Sequence, residues 1–198
     1  MRYLLHGVGS ALAPAFEREL AVAGHEPGDP PQLAVIGIDA PTGDDLLALS
    51  RAGWDETIDS LGSAFATLRR VGAAMVEAGE GRIVILVPVH AQRPSRACGR
   101  AAVAGSFMTT VAQVAAVELA PAGVRVNVVA VGPVVGNDPD GVVDGIPIGR
   151  LVRPEEVARV CCLLASEASD AVTGAVLTVD GGYAVTKALG GSPYARAT

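Results

Sequence analysis

The sequence predicts an α/β fold in three layers (α/β/α), in which helices cover both faces of a doubly wound parallel sheet. Short apolar runs bounded by glycine, proline or aspartate alternate with longer stretches of helical period, as strands and crossover helices do in such sheets. Half of the 198 residues are hydrophobic, which is enough for a sizeable core. Because no linker, repeat or low-complexity tract divides the chain, we expect one domain over residues 1–198.

Five short apolar runs predict the strands of the sheet. They span residues 3–5, 33–38, 82–87, 124–130 and 175–179. Residues 11–23 predict a first crossover helix that ends at Gly24, a suitable left-handed stop. A last helix is predicted over 154–165, because Pro154 suits a first helical turn and two glutamates follow it at the positive end of the helix.

The two long central helices carry more apolar surface than one sheet can cover. Residues 54–77 have an apolar stripe at steps of three and four residues, whereas residues 97–119 are apolar on almost every side. A helix of the second kind must be covered all round, so we expect a second subunit against it. The residues predicted to lie in subunit contacts are Phe65, Val103, Phe107, Val111, Val114, Leu177 and Tyr183.

Composition argues against several kinds of partner and site. The net charge of −6 and the lack of a basic cluster argue against nucleic acid and membrane surfaces. Cys98, Cys161 and Cys162 have no metal-ligand spacing and sit in apolar helical patterns, so neither a metal site nor a disulfide is expected. The first residues lack the pattern of a signal peptide. We also expect no membrane span, and we predict a cytoplasmic protein. The tail over residues 187–198 is expected to be loose.

Two long segments resemble one enzyme family. Residues 115–134 (AAVELAPAGVRVNVVAVGPV) and 149–183 (GRLVRPEEVARVCCLLASEASDAVTGAVLTVDGGY) are similar to the C-terminal half of short-chain dehydrogenase/reductases. Residues 55–65 resemble the central helix of that family, and residues 81–85 resemble its next strand. The resemblance covers nearly the whole chain. It implies a Rossmann-like fold, a nicotinamide dinucleotide and a carbonyl or alcohol substrate.

The glycine loop that this resemblance implies is mostly absent. In the family pattern Thr-Gly-x-x-x-Gly-x-Gly, glycine lets the backbone turn tightly and approach the pyrophosphate. The pattern falls on Gly7, Ala11 and Ala13, and a second register that keeps Gly7 and Gly9 needs a gap. We therefore interpret the two glycines as a tight strand-to-helix turn. We expect no cofactor, with NAD(P) bound weakly at most.

A piece of the sheet is also predicted to be missing. After Gly24 the sequence HEPGDPPQ leads straight to Leu33, and LAVIGID stands where the family has its Asn-Asn-Ala-Gly strand. One strand-helix-strand unit, of about 30 residues or more, is therefore absent by this comparison. Most of the adenine and ribose pocket would be lost with it.

The proton-transfer residues of the family are replaced as well. The resemblance places the Tyr-x-x-x-Lys pair at Arg96 and Arg100, the Ser region at Pro88 and the Asn at Ser60. A guanidinium keeps its proton at any accessible pH, so Arg96 cannot exchange a proton as a tyrosine does. Arg96 and Arg100, one turn apart on a helix face, would instead bind an anion or form a solvated ion pair.

Two further features keep an alternative open. His90 lies near the expected substrate position, where it would form a new acid/base pair with Asp39 or Cys98. Tyr183 and Lys187 satisfy Tyr-x-x-x-Lys as a string, but they follow the last strand, where relatives run toward a subunit contact. We therefore interpret the match at Tyr183 and Lys187 as structural and not as a catalytic pair.

These substitutions predict a pseudoenzyme, a subunit that assembles with itself or with an active paralogue of the same family. The alternative is an enzyme of altered, non-redox chemistry that uses His90, Arg96 and Arg100 in the old pocket. An NAD(P)-dependent oxidoreductase of the ordinary kind is the least favoured, because no tyrosine lies between Tyr3 and Tyr183.

Overall fold

The computed structural model describes residues 1–43, 45–137 and 140–188. Its strands are β1 (Arg2–His6), β2 (Glu26–Pro27), β3 (Leu33–Ile36), β4 (Gly81–Pro88), β5 (Val124–Val131) and β6 (Val176–Val179). Its α-helices are α1 (Ala13–Val22), α2 (Arg51–Ala78), α3 (Gly99–Leu119), α4 (Pro154–Ala165) and α5 (Tyr183–Ala188). Most of the predicted loose tail lies outside the described residues, which end at position 188.

The strands form one parallel sheet in the order β2-β1-β3-β4-β5-β6. α2 and α3 pack against one face, whereas α1 and α4 pack against the other. β3 is buried along its whole length, and β4 and β5 along most of theirs, because valine, isoleucine and leucine point into both helical layers. The predicted three-layer, Rossmann-like fold is confirmed.

The prediction of five strands is wrong by one, because the chain forms a short strand before Leu33. Glu26 pairs with Arg2, and Pro27 pairs with Tyr3, at the edge of the sheet. Residues 28–32 then lead back across β1 to β3, without a helix. Both residues of β2 are exposed, so no apolar run marks the strand in the sequence. A single strand pairing of two residues takes the place of the longer unit that the family resemblance implies.

α3 lies on the sheet with its small side chains inward. Gly105 sits so close to the turn after β4 that a Cβ on it would lie 2.7 Å from the Cβ of Ala91. By length and composition, Gly99–Ala122 could also cross a membrane, so the expectation that no segment qualifies is wrong. One such helix is weak evidence, since core helices pass the same test. In this fold the helix contacts β4 and β5.

Most of the predicted subunit-contact residues do lie on the outside of α2 and α3. Phe65, Val103, Phe107 and Val114 are between 41% and 51% exposed, whereas Val111 and Leu177 are partly buried against the core. Tyr183 is the exception, since it is buried in a small cluster with Val89, Ile146 and Leu151. Its assignment to an outer contact surface is therefore wrong.

Candidate functional site

A cleft of about 630 Å³ opens at the carboxyl ends of the central strands. It is lined by the turn after β1, by the segments that follow β3, β4 and β5, and by Tyr183. The chain leaves β1 for β2 on one side and places β3 on the other, so the cleft lies at the switch point where parallel sheets bind ligands. Its volume is within the range of small-molecule sites.

The glycine turn after β1 is explained by backbone packing. Gly7 has φ +61°, and a Cβ on it would clash with the carbonyl oxygen of Gly37, directly after β3. Gly9 has open space around it, and its carbonyl accepts hydrogen bonds from the N–H groups of Leu12 and Ala13. The segment is a tight turn that leads into α1, as predicted.

These residues do not fit a complete nicotinamide dinucleotide. The Ala11 methyl lines the cleft at the position where the family pattern has a glycine, and Ala13 is already the first residue of α1. On the adenosine side, β2 ends after Pro27, and both of its residues are exposed. Among the described residues, what remains for an anion is the positive end of the ten-residue helix α1.

Arg96 and Arg100 do not share a helix face, so that prediction is wrong. α3 begins only at Gly99, because Ala97 takes a left-handed conformation with φ +58° that interrupts the helix. Arg96 therefore lies before the helix and donates hydrogen bonds of 3.2 and 3.1 Å to the two carboxylate oxygens of Asp45. This pairing raises the pKa of Arg96.

Arg100 is directed toward α2 instead. Its side chain is 10% exposed, and its Nη1 donates a hydrogen bond of 3.2 Å to the carbonyl oxygen of Gly53. The same nitrogen lies 3.9 Å from a carboxylate oxygen of Glu56. The two arginines are thus held by separate partners and do not form a common anion site.

The other two substituted positions have structural roles. Ser60 Oγ accepts a hydrogen bond of 2.9 Å from the backbone N–H of Asp39, which fixes the segment after β3 to α2. Pro88 ends β4 and leads into the 3₁₀ turn Val89–Ala91. Proline carries no N–H and no side-chain donor, so it cannot polarise a carbonyl as a serine does.

His90 is the centre of a polar cluster in the cleft. Its Nδ1 lies 3.2 Å from Ser95 Oγ, and its Nε2 lies 3.5 Å from Cys98 Sγ. Ser95 Oγ in turn donates to Cys98 Sγ over 3.2 Å. Of the two partners predicted for His90, Cys98 contacts it, whereas Asp39 lines the cleft from the β3 side. Ser95 was not predicted, because a serine in a short loop carries no distinctive sequence signal.

Tyr183 faces the cleft rather than an outer surface. Its ring meets the His90 ring edge to face, with centroids 6.4 Å apart and an angle of 84°. Asp180 holds this turn, since its two carboxylate oxygens accept 2.7 Å hydrogen bonds from the N–H groups of Gly182 and Ala184. After the Asp-Gly-Gly turn, Tyr183 packs with Val89 in the turn that follows β4. The side chain of Lys187 lies outside what the structure describes.

Comparison with known proteins gives consistent matches. A family model described as enoyl-(acyl carrier protein) reductase matches residues 33–184. The chain is 32% identical to the 3-oxoacyl-[acyl-carrier-protein] reductase FabG of Chlamydia muridarum, over 70% of this chain and 60% of that protein. It is 34% identical to the acetoacetyl-CoA reductase of Cupriavidus necator, over 68% and 58%. The chain thus spans about three fifths of the length of these relatives.

A solved structure shows the same fold. The 3-ketoacyl-(acyl-carrier-protein) reductase of Brucella melitensis, crystallised with NADH, superposes with a TM-score of 0.85. The match covers 92% of this chain and 97% of that one at 19% sequence identity. At this identity the likeness concerns the fold, and function must be argued from the site.

Proposed function

Since the chain belongs to the short-chain dehydrogenase/reductase family, we propose that it is a pseudoenzyme of that family, a subunit that has lost hydride transfer and acts by assembly. One observation carries the proposal. The family resemblance aligns Arg96 with the family's proton donor, and in the structure Arg96 lines the cleft with its guanidinium paired to Asp45. A permanently protonated guanidinium cannot give up a proton and take it back as a phenol does.

The turn after β1 supports the same proposal. Dinucleotide binding in this fold needs close approach of the backbone to the pyrophosphate, and here the Ala11 methyl lines the cleft. The exposed two-residue β2 provides little surface for an adenosine. We therefore propose that the chain binds neither NAD(H) nor NADP(H) with useful affinity.

The outer surface of α2 and α3 supports a role in assembly. Large apolar side chains are exposed there; they include Ile58, Phe65, Val103, Phe107, Val114 and Val117. Several such groups on two adjacent helices mark an interaction surface rather than an ordinary solvated face. The partner we propose is a second short-chain dehydrogenase fold, either another copy of the chain or an active relative. Three cysteines described as free thiols fit a reducing, cytoplasmic setting.

Two measurements on the purified chain test the proposal. Calorimetric titration with NAD(P)⁺ and NAD(P)H should give dissociation constants weaker than about 1 mM. Light scattering should detect a dimer or larger assembly, or co-expression with an active relative should give a mixed complex. Tight binding of either dinucleotide overturns the loss of redox function. A chain that stays monomeric and co-elutes with no relative overturns the role in assembly.

A second candidate is an enzyme of altered, non-redox chemistry in the same cleft. It is supported by the open cleft and by the convergence of His90, Ser95 and Cys98. The arginines that this alternative assigned to the pocket support it less: Arg96 lines the cleft, but its guanidinium is paired with Asp45, and Arg100 is paired with α2. The names of the curated relatives favour a reductase. The calorimetric titration distinguishes a reductase, which must bind a dinucleotide, from the pseudoenzyme and from the non-redox enzyme.

A further inference from the structure

Helix α3 begins without the cap that its sequence offers. Cys98 directly precedes the helix, and no side-chain hydrogen bond caps the first turn there. Serine is among the residues that best cap a helix N-terminus, and Ser95 lies three residues upstream of Cys98. Arginine and alanine, the next two residues, both favour helix. The local sequence therefore allows a second start for α3, with Ser95 as the cap and Arg96 as the first helical residue.

Ala97 is the residue that blocks this earlier start. Its φ is +58°, and among the described residues it is the only one besides glycine with a positive φ. A Cβ makes this conformation unfavourable, so it persists only where the surrounding structure holds it. With a right-handed backbone, Ala97 would continue α3 toward Arg96 and Ser95. The conformation of one residue thus separates the two starts of the helix.

Two contacts from the segment after β3 hold this turn, and together we call them the latch. The N–H of Gly43 donates a hydrogen bond of 2.7 Å to the carbonyl oxygen of Ala97. Beside it, the Arg96 guanidinium donates hydrogen bonds of 3.2 and 3.1 Å to the two carboxylate oxygens of Asp45. A helical Ala97 would direct its carbonyl along α3 to a helix N–H instead. The Gly43 hydrogen bond and the longer helix therefore exclude one another.

We propose that the amino end of α3 is a two-state switch, in which the latch from Gly43 and Asp45 selects the shorter helix. When the latch opens, Ala97 returns to a right-handed backbone, and α3 extends to Arg96 under a cap from Ser95. The longer helix is the minor state. Only hydrogen bonds and backbone dihedrals change between the two states, so the few contacts of the latch set their populations.

The switch lies at the rim of the cleft. Arg96 and Cys98, the two neighbours of Ala97, both line the cleft. Residues 39–42, which lead to the latch, line it from the β3 side. Opening of the latch frees the Arg96 guanidinium from Asp45 and turns both side chains relative to the cleft, so the state of α3 determines which groups a small molecule meets there. This inference goes beyond the proposed function, because it requires neither a dinucleotide nor a partner subunit.

The experiment measures hydrogen exchange of the Gly43 amide by NMR in the purified full chain, because the closed latch protects that amide. Ala97→Gly relieves the left-handed strain and should slow exchange by about 5-fold or more. Asp45→Asn removes the ion pair and should speed exchange by about 3-fold, a usual effect for an exposed pair. Arg159→Ala is the matched control and should leave the rate unchanged, because Arg159 forms a similar two-bond pair with Glu19 between α1 and α4.

A second NMR measurement distinguishes the switch from simple loosening of a loop. The three-bond coupling between the amide proton and Hα of Ala97 reports its φ, and in Asp45→Asn it should move toward the helical value. Adding Ser95→Ala, which removes the cap of the longer helix, should reverse that move. Salt at about 1 M screens the ion pair and should speed Gly43 exchange in the unmodified chain but not in Asp45→Asn.

The proposal is overturned by any of three results. Ala97→Gly could leave Gly43 exchange unchanged, Asp45→Asn could leave the Ala97 coupling unchanged, or Arg159→Ala could speed exchange as much as Asp45→Asn does. A coupling that Ser95→Ala does not reverse would refute the longer helix with its Ser95 cap. Circular dichroism of each variant verifies that the fold is retained, and neither readout depends on dinucleotide binding or assembly.

Discussion

The centre of the sheet and its β2 edge differ in how much structure they carry. At the centre, β4 and β5 pair over eight residues from Gly81 and Val124 onward, and both are covered by helices. At the outer edge, β2 pairs with β1 over two exposed residues. The difference shows that the fold depends on the central strands and the helices over them. The short β2 edge, on the side where an adenosine would bind, can therefore be reduced while the core around the central strands is retained.

The largest expected effect comes from truncating one side chain in the centre of the sheet and one at its β2 edge. Ile85→Ala in β4 removes a fully buried side chain and should lower the free energy of unfolding by about 2–5 kcal/mol. Glu26→Ala in the exposed β2 should change it by less than about 0.5 kcal/mol. Urea unfolding followed by circular dichroism measures both. A comparable loss at Glu26 would show that the short edge is structurally required.

The apolar surface of α3 gives the next largest effect. Phe107→Ser should weaken assembly by about 2 kcal/mol, or roughly 30-fold in dissociation constant, if the side chain is a contact hot spot. Val22→Ser on α1 is the control, because Val22 is 81% exposed on the opposite layer. Light scattering over a concentration series measures the change. Equal effects of the two substitutions would contradict the proposed surface.

A smaller effect is expected at the start of α4, which belongs to the retained part of the fold. Glu156 accepts two hydrogen bonds from the Arg150 guanidinium and one from the backbone N–H of Arg153. The hydrogen bonds from Arg150, and to a smaller extent the one from the Arg153 N–H, lower the pKa of Glu156 from 4.5 to about 2. The carboxylate therefore stabilises the fold above pH 4.5, and the gain is lost as the pH falls toward 2.

Glu156→Gln should accordingly lower the free energy of unfolding by about 1 kcal/mol at pH 7, with the difference shrinking below pH 4.5. Glu155→Gln is the control, since Glu155 forms one longer ion pair of 3.4 Å with the exposed Arg18. Thermal unfolding at several pH values measures the dependence. A difference that does not vary with pH would assign the role of Glu156 to packing.

The smallest effect is expected at Arg96. Its side chain is 88% exposed, so loss of the ion pair to Asp45 in Arg96→Ala should leave thermal unfolding almost unchanged. Arg96→Tyr should leave the chain unable to oxidise NADPH with a 3-oxoacyl substrate, as followed by absorbance, because the dinucleotide turn is also altered. Activity in Arg96→Tyr would show that this single residue separates the chain from a working enzyme.

The helices over the core could be predicted because local chemistry defines their ends. α4 begins at Pro154 and ends at Ala165 as expected, since proline suits a first turn and the apolar spacing continues to the end. The start of α3 was misplaced by two residues, because alanine at 97 and cysteine at 98 give no hint of a break. The carbonyl of Ala97, whose φ is left-handed, accepts a 2.7 Å hydrogen bond from the N–H of Gly43, a distant contact that no local pattern encodes.

The site could be predicted only in part. The pairing of His90 with Cys98 follows from their order after β4, whereas the contribution of Ser95 depends on how the loop closes. The inward position of Tyr183 was missed because it depends on the Asp180 carboxylate, which turns the chain back after β6. Hydrogen bonds between a side chain and a nearby backbone decide such turns, and they leave little periodic signal in a sequence.

The contact between Gly7 and Gly37 has a bearing on how such chains are classified and redesigned. Because the two backbones touch, both positions must be glycine if β1 and β3 are to end side by side. A motif search that counts Gly7 as part of a phosphate-binding loop would take it as evidence for nucleotide binding, although the backbone contact with Gly37 already explains this glycine. A designer who grafts a working loop onto this scaffold should keep both glycines and rebuild residues 11 and 13.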